Sequence, residues 1–424
     1  MTQILQPADV RALRLRAQWL RDSGAGSGAN EGAGSGTERI AAVARHMLAT
    51  QGQDWRSARW ALGVRAPGTT VGDVHAAFAA GQIVRSWPMR GTLHIVPAED
   101  IGWMQGVTNH RVLAGAPARR RMLGLTDAML ERLIDVSLAA LHGGAALDRD
   151  ALSTAWTEAG IDWQNGWRYH VIWWLCQNGL ATFGPVRDSG EPMLVRADEW
   201  ITAPRTLVGD EALTTLATRY VQARGPVRDR DLAWWTGLTL REVRHGLALA
   251  QDTGDVTTAT LGATDGPMLW LDPAQLDPAP LDPAPLDPAP LGPAPLDPAP
   301  PHASPRVSAS GWQLLPAFDE HLLGYTDREA HLAPEHADRI VPGRNGMFLA
   351  TVVEAGRVRG TWKRGTRARS GVEVSPFPGD RIDAAAITAP LAAWHAFHGS
   401  EPLPPSLRPA GETPSATAPR SAKK

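Results

Sequence analysis

The feature that most constrains the fold is a helix, turn, helix and hairpin pattern in the stretch RGPVRDRDLAWWTGLTLREVRHGLALAQDTGDVTTATLGATDGPMLWL. A helix is predicted to begin near Arg228 and to end at a turn over residues 236–238, and a second helix spans residues 239–252. Thr239 and Glu242 form a capping box, which fixes the start of the second helix. Two strands joined by an Asp-Gly turn follow. This order of elements is typical of a winged helix.

Two weaker copies of the same pattern lie upstream. In the second copy, the predicted elements are helices at 148–159 and 166–177 and a hairpin around residues 188–190. In the first copy, they are helices at 38–50, 54–64 and 71–80 and a hairpin that turns near residues 88–90. Three such units favour a tandem array. The tryptophan pairs have helical core spacing and are interpreted as packing residues; they are Trp173, Trp174, Trp234 and Trp235.

A low-complexity insert follows the third copy, and it either joins two domains or extends a surface loop. Residues 271–301 repeat the unit LDPAP, which is Pro-rich and has no helical or strand period, so an extended spacer is expected. The flanking stretches GPMLWL and GWQLLPAFDEHLLGY have the composition of buried strands that could pair with each other across the insert, so the surface loop is the favoured interpretation. The Gly/Ser-rich stretch near the start and the Pro-rich end bury too little apolar area to offset ordering, and both are predicted to be flexible.

The predicted fold class is α+β, with three tandem winged-helix units, a Pro-rich repeat insert and disordered tails. At 424 residues, the chain is long enough for two to four compact units. The predicted division begins with an N-terminal helix and a flexible segment at 1–37, followed by winged helices at 38–135 and 136–205. Residues 206–398 are predicted to form a third winged helix and a C-terminal α/β segment, interrupted by the repeat at 271–305. A disordered tail is predicted at 399–424.

Composition limits the function classes without choosing one. The single cysteine, Cys176, excludes an internal disulfide and favours a reducing compartment. No apolar run is long enough to cross a membrane, and the start lacks a signal-peptide pattern, so a cytoplasmic protein is expected. Lys363, Lys423 and Lys424 are the only lysines among 42 basic residues. That bias is typical of GC-rich coding, as in actinomycetes; because arginine also pairs well with phosphate, composition permits DNA binding without showing it.

The stretch TQGQD places two uncharged amides, Gln51 and Gln53, around Gly52 and ahead of a predicted helix. Residues two apart point away from each other in a helix but share a face in an extended segment. Gly52 breaks helices and tolerates positive φ, and Asp54 is a good N-cap, so we expect a break in which both amides face one site. The residues by themselves also fit exposed polar side chains at a helix end.

Three longer motifs carry a resemblance to a known family: RSWPMRGTLHIVPAEDIGWM at 85–104, DLAWWTGL at 231–238, and the stretch at 314–364 that begins LLPAFDEHLLGY. They resemble the bacterial AlkZ-like DNA glycosylases, winged-helix enzymes that release bulky alkylpurines and, in some members, interstrand crosslinks. The resemblance covers residues 40–398 apart from the insert. It implies a C-shaped arrangement of three winged helices around duplex DNA and a catalytic Q-x-Q or Q-x-D motif after the first helix. Gln51 and Gln53 stand at that position, so the resemblance implies that both are catalytic.

Basic residues on two predicted hairpins and in one arginine run are candidates for DNA contact, since cations pair with phosphate. The candidates are Arg90, His94, Arg119, Arg120, Arg357, Arg359, Lys363 and Arg364, accompanied by Thr92, Arg121, Arg367 and Arg369. For the first hairpin the alternative is a structural role, and for the other two sets it is a solvated face. Steep salt dependence of binding would indicate phosphate contact.

The acidic pair in AFDEHLLGY is a further candidate. Asp319 and Glu320 stand beside His321 and ahead of Tyr325, which suggests a carboxylate catalyst or a metal site. No second ligand pair at metal spacing is found in the sequence, so the acids are interpreted as structural or cleft-lining, and no metal or other cofactor is expected.

The predicted function is a monofunctional DNA glycosylase that hydrolyses the N-glycosidic bond of N3- or N7-alkylated purines, with bulky or crosslinking adducts as the expected class. Such purines carry positive charge and leave readily, so an amide that places water beneath C1′ suffices. The expected partner is double-stranded DNA with alkylated purines, bound by a nucleoid-associated monomer. Lyase chemistry needs an amine nucleophile, and Lys363 is the one lysine outside the tail. The alternatives are a non-catalytic winged-helix DNA-binding protein or regulator, which usually dimerises, and a protein-interaction array.

Overall fold

The structure is a computed structural model that describes residues 3–20, 34–187, 190–276, 311–365 and 371–409. Residues 21–33, the repeat from 277 onward and the tail from 410 onward lie outside the described residues, and so do the predictions of flexibility made for them. Asp188 and Ser189 of the second hairpin turn and Arg367 and Arg369 of the basic hairpin also lie outside them.

Helices and short strands alternate along the first half of the chain. The N-terminal residues form β1 (Gln3–Leu5) and α1 (Pro7–Ala17). The first unit forms α2 (Gly36–Met47), β2 (Thr50–Gln51), α3 (Trp55–Gly63), α4 (Val71–Ala79), β3 (Ile83–Met89), β4 (Thr92–Pro97), α5 (Ile101–Thr108), α6 (His110–Ala114), α7 (Ala116–Met122) and α8 (Asp127–Ala140). The second unit forms α9 (Arg149–Glu158), α10 (Asn165–Gln177), β5 (Ala181–Val186), β6 (Pro192–Arg196) and α11 (Ala197–Trp200).

The third unit and a C-terminal sheet complete the mixed α/β fold. The third unit forms α12 (Gly209–Arg224), α13 (Asp229–Thr236), α14 (Leu240–Asp252), β7 (Thr257–Leu261) and β8 (Met268–Leu271). The C-terminal residues form β9 (Trp312–Leu315), α15 (Glu320–Leu323), α16 (Ala337–Ile340), β10 (Thr351–Glu354), β11 (Arg357–Arg364), β12 (Val372–Pro376), α17 (Thr388–His398) and β13 (Ser406–Leu407). The predicted order of helices and hairpin is present in all three units.

Capping contacts fix the starts of the helices that matter most for the site. The backbone N–H of Ser57 donates to Asp54 Oδ1 over 2.9 Å, so Asp54 is the N-cap of α3, as predicted. The predicted capping box of Thr239 and Glu242 is also formed. Helix α2 begins two residues before the predicted position because Ser35 supplies a further capping box.

Hairpins of the first two units merge into one sheet. Strand β3 pairs with β5 at Arg85 and Phe183, which gives a five-stranded sheet in the order β2-β4-β3-β5-β6. The turn of the first hairpin lies at Arg90 and Gly91, slightly beyond the predicted position, and both residues have positive φ. Such φ values are typical of a two-residue hairpin turn.

The stretches on either side of the insert do not pair with each other, so that prediction is wrong. Strand β8 pairs with β7, and its Trp270 also bridges to Val227 on the other side, which leaves it no free edge there. Strand β9 pairs with β10 and lies in a different five-stranded sheet, ordered β13-β12-β11-β10-β9. The insert therefore connects two sheets and does not close a hairpin.

Both ends of the described chain are tied into the fold. Strand β1 pairs in parallel with β7 of the third unit, and α1 packs against α12. Strand β13 pairs in parallel with β12, so the predicted tail from residue 399 begins with ordered structure up to residue 409. The predicted boundary at 37 therefore falls inside α2, whereas the boundary at 399 falls at the end of α17 and leaves β13 in the predicted tail.

Packing assigns the tryptophan pairs to the interior of their units. Trp235 is fully buried, and Trp234 is half-buried against the same core as Trp235. Trp173 and Trp174 pack half-buried against the core of the second unit. Among the described residues, no helix is long and apolar enough to cross a membrane.

A buried ion pair holds the end of α2 to the third unit. Arg224, on the last turn of α12, donates to Glu320 Oε2 at 2.9 and 3.0 Å, and the two side chains are 0% and 1% exposed. The same guanidinium donates to the backbone carbonyl of Met47, the last residue of α2, and to that of Ala49 just beyond the helix. The last carbonyls of a helix have no helical partner, so the contact to Met47 satisfies one of them. Trp235 Nε1 also donates to Glu320 Oε2, over 3.0 Å.

We predict that Arg224→Ala lowers the free energy of unfolding by about 3–5 kcal/mol, because it leaves the Glu320 carboxylate buried without its cation. Arg228→Ala is the matched control, since Arg228 pairs with Asp327 at 2.9 Å in a partly exposed position. That control is expected to cost at most about 1 kcal/mol. Urea unfolding of both variants measures the difference, and equal losses would contradict the structural role of the buried pair.

Candidate active site

The two glutamines of the TQGQD stretch meet at a break in the chain. Helix α2 ends at Met47, and Leu48 takes a φ of 60°, which turns the backbone out of the helix. Gln51 Nε2 donates to Gln53 Oε1 over 3.1 Å, and the backbone N–H of Gln53 donates to Gln51 Oε1 over 2.8 Å. Gln51 is 7% exposed, whereas Gln53 is exposed. The two amides are thus adjacent, one at the surface and one beneath it.

Gly52 is required for close approach of two strands. Its N–H donates to the carbonyl of Leu93 over 2.8 Å, and a Cβ added to Gly52 would lie 3.0 Å from backbone atoms of His94. Gly52 is not among the described glycines with positive φ, so the break in the chain does not use the left-handed conformation that glycine tolerates. The reason for glycine at this position is space, because β4 passes directly beside it.

Arg85 fixes the loop that carries the glutamines. Its Nε donates to the carbonyl of Gly52 over 2.7 Å and one Nη donates to the carbonyl of Gln53 over 3.3 Å. Burial lowers the pKa of Arg85 to about 10, and its guanidinium lies 5.6 Å from the ring centre of Trp55. Sequence reasoning missed Arg85, although an arginine inside the apolar strand IVRSWPM is the kind of residue that needs an internal partner.

Trp55 ties the start of α3 to the second unit. Its indole N–H donates to the carbonyl of Gly190 in the second hairpin, and its ring stacks with His75 at 6.4 Å between centroids. Arg59 lies over the same ring at 5.3 Å. The helix that follows Gln53 is therefore held by contacts from two units.

The structure buries His94 and leaves Arg90 partly buried. The Arg90 guanidinium lies 4.8 Å from the ring centre of Trp234, and burial lowers its pKa. His94 is 0% exposed, and its Nδ1 lies 2.9 Å from the carbonyl of Thr92. Burial, with Arg90 nearby, lowers the pKa of His94 to about 3, so the imidazole is neutral. This burial argues against the predicted direct contact of His94 with a phosphate.

The remaining basic candidates divide into paired and unpaired side chains. Arg359 pairs with Glu354 and Asp380 at 2.8 and 2.9 Å, and Lys363 lies 3.4 Å from Glu373. Arg120 pairs with Asp127 at 3.0 Å and lies 4.9 Å from the Trp174 ring centre. The candidates that lie exposed in the structure are Arg119, Arg121, Arg357 and Arg364. The acids that pair with Arg359 and Lys363 come from neighbouring segments, which the run of basic residues in the sequence did not indicate.

The two acids of AFDEHLLGY, Asp319 and Glu320, form buried ion pairs. Asp319 binds Arg65 through two contacts of 2.8 and 2.9 Å, and the Arg65 guanidinium holds the pKa of that buried carboxyl below its usual range. Glu320 binds Arg224, and Tyr325 donates to the carbonyl of Arg224 over 2.8 Å. The structural interpretation of the acids is therefore confirmed. Within the described parts of the chain, no three His, Cys, Asp or Glu side chains are grouped to hold a metal ion.

Comparison with known proteins identifies the family of the chain. The sequence model of the DNA glycosylase AlkZ-like family matches residues 44–397. The chain therefore belongs to the AlkZ-like family, and it is a DNA glycosylase.

Matches to a curated sequence and to a solved structure both come from Streptomyces sahachiroi. An interstrand DNA cross-link repair glycosylase is 24% identical over 374 residues, which cover 85% of this chain and 91% of the relative. The solved structure of the DNA glycosylase AlkZ matches with a TM-score of 0.68 and 21% identity, and the match covers 96% of this chain and 100% of that chain. This chain and AlkZ therefore share a fold.

We predict that Gly52→Ala lowers the free energy of unfolding by about 1–3 kcal/mol, because the added methyl group pushes β2 away from β4. Gly102→Ala is the matched control: Gly102 lies in α5 with nothing within 4 Å of an added Cβ. There the change should stabilise by about 0.5–1 kcal/mol. Chemical denaturation measures both; a neutral or stabilising Gly52→Ala would contradict the close approach.

Proposed function

We propose that this glycosylase hydrolyses the N-glycosidic bond of N3- or N7-alkylated purines in duplex DNA, with bulky and interstrand-crosslinking adducts as its substrates. The observation that carries the proposal is the meeting of the Gln51 and Gln53 amides at the break after α2. The name of the Streptomyces sahachiroi relative, an interstrand DNA cross-link repair glycosylase, supports the crosslink class. Neutral amides suit a substrate whose base is already a cation, since such a base needs no protonation to leave.

The proposed reaction is a hydrolysis in which the amides hold water. The water oxygen bonds to C1′ of the deoxyribose while the C1′–N bond breaks. The electron pair of the broken bond stays on the nitrogen and neutralises the cationic purine, which departs as a neutral base. The proton lost by the water passes to solvent, and an abasic site remains. Gln53 is at the surface, so its amide oxygen accepts a hydrogen bond from the attacking water, and Gln51 holds Gln53 in place. The dipole of each carbonyl stabilises the oxocarbenium character of the transition state.

The proposed scaffold is an array of three winged helices in a C-shaped arrangement that holds the duplex as a monomer. The helix and hairpin order in each unit supports this assignment, with units at 38–135, 136–205 and 206–398 as first approximations to the boundaries. The proposed phosphate contacts are the exposed Arg119, Arg357 and Arg364. Arg120, Arg359 and Lys363 contribute less, because acids already neutralise them.

We predict that the full-length protein releases N7-methylguanine from duplex DNA and that strand breaks appear only after alkali, as expected without an amine nucleophile. Gln53→Ala and Gln51→Ala should each lower the single-turnover rate by about 10²-fold, through loss of a group that holds the water. Gln251→Ala, at an exposed site at the end of α14, is the matched control and should match wild type.

Two results would overturn this assignment. Unchanged rates in both glutamine variants would remove the amides from the reaction. Duplex binding without release of base by the wild-type protein would favour a non-catalytic DNA-binding role. A crosslinked duplex, treated in parallel, tests the adduct class.

We predict that Arg364→Ala weakens duplex binding and reduces the slope of log Kd against log salt by about 0.9, the loss of one phosphate contact. Arg359→Ala should leave the slope unchanged, because its guanidinium is held by Glu354 and Asp380. Fluorescence anisotropy with a labelled duplex across a salt series measures both slopes. An equal drop in both variants would show that ion pairing does not decide which cations meet the DNA.

A further inference from the structure

A row of polar side chains crosses the five-stranded sheet and ends at Gln51. Gln51 pairs with His94 on β4, and His94 pairs with Ser86 on β3. The antiparallel register that joins Arg85 to Phe183 sets Ser86 opposite Thr182 on β5. Directly opposed residues share one face of a sheet, with Cβ atoms about 4.5–5.5 Å apart. These four side chains therefore lie next to one another on one face.

Three members of the row have polar atoms without a partner. His94 Nε2, Ser86 Oγ and Thr182 Oγ1 are buried and receive no hydrogen bond from the residues that the structure describes. The residues are 0%, 0% and 1% exposed. Ser86 lies beside the Cys176 thiol, but a thiol is only a weak hydrogen-bonding group. Buried polar atoms that lack a partner are rare, and ordered water is their usual partner.

The His94 ring is set to receive a hydrogen bond at its free nitrogen. The carbonyl of Thr92 only accepts, so the Nδ1 atom that lies 2.9 Å from it carries the hydrogen. Nε2 is then the nitrogen with a lone pair. The N–H of Gly52 donates to the carbonyl of Leu93, which makes Gln51 and His94 a narrow pair, the kind in which opposed side chains are closest. The Gln51 amide has a second N–H beyond the one given to Gln53.

We propose that Gln51, His94, Ser86 and Thr182 bind a file of buried water molecules that supplies the hydrolytic water from inside the protein. This inference rests on the proposed function. A duplex seated over Gln53 would cover the outer side of the site, whereas the attack on C1′ consumes one water molecule. The polar row leads to Gln51 from beneath, where the DNA cannot block it. His94 is a positioning residue here: it accepts a hydrogen bond from the water nearest Gln51 and takes no proton.

Apolar replacement of Thr182 separates this proposal from simple packing. Thr182→Val keeps the shape of the side chain and removes only the hydroxyl. If the hydroxyl has no water, its loss leaves the rate unchanged and stabilises the fold. If it holds the file, the single-turnover rate of N7-methylguanine release falls about tenfold at unchanged duplex Kd, the loss of one hydrogen bond. Thr260→Val, at a buried hydroxyl of β7 that also lacks a partner, is the matched control.

A second pair of variants tests the His94 nitrogen directly. His94→Gln places its amide near the position of Nε2, whereas His94→Asn reaches only as far as Nδ1. We expect the glutamine variant to keep the rate within about threefold and the asparagine variant to lose about tenfold or more, with equal duplex Kd. His331→Asn is the control, because His331 is also fully buried, with Nδ1 3.0 Å from a backbone carbonyl and Nε2 unpartnered.

The outcomes distinguish the failure of this inference from the failure of the proposed function. Wild-type rates in Thr182→Val and His94→Asn, while Gln53→Ala is slow, would overturn the water file alone. Equal loss in His94→Gln and His94→Asn would also overturn it, since a packing role predicts that result. Absence of base release by the wild-type protein would overturn the proposed function before the row is tested.

Discussion

The contact between Arg224 and Glu320 is the constraint on which the rest of the structure depends. It joins the last turn of α12, the short helix α15 and the segment that leaves α2, and all its atoms are buried. A helix that stops in the interior leaves carbonyls that need donors. Arg224 donates to the carbonyl of Met47 at the end of α2 and to that of Ala49 just beyond it, in the fork geometry that lysine lacks. A charged side chain from the third unit therefore stabilises the break that brings Gln51 to β4.

A second buried pair repeats the arrangement one residue away. Asp319 binds Arg65 just past the end of α3, while Glu320 binds Arg224 at the end of α12. Asp319 and Glu320 therefore connect helices of the first and third units to the segment that follows the C-terminal strand β9. Buried ion pairs add little stability compared with apolar packing, but they tolerate few alternative arrangements. Their contribution here is to fix the chain around Gln51 in one geometry.

Local sequence patterns predicted the helices and strands, but they did not predict which distant segments pair with each other. Asp54 and the box of Thr239 and Glu242 gave correct helix starts, because a cap acts within one turn. The juxtaposition of Gln51 and Gln53 followed from the same local reasoning, although the reason for Gly52 was close packing. The clamp by Arg85 was not predictable, since its partners lie more than thirty residues away. The wrong pairing across the insert had the same cause: two apolar strands in a sequence do not reveal which sheet each one joins.

The shared sheet of the first two units has a mechanical consequence. Because β3 and β5 are hydrogen-bonded neighbours and Trp55 is anchored to Gly190, the two units have no hinge between their hairpins. Hydrogen bonds of this kind resist separation of the two hairpins. For a duplex held against it, the distortion falls on the nucleic acid, which bends or unstacks at the lesion at a cost set by its own stiffness. Sites where damage has already weakened base stacking would then be recognised because the duplex deforms easily there, before the protein contacts the adduct itself.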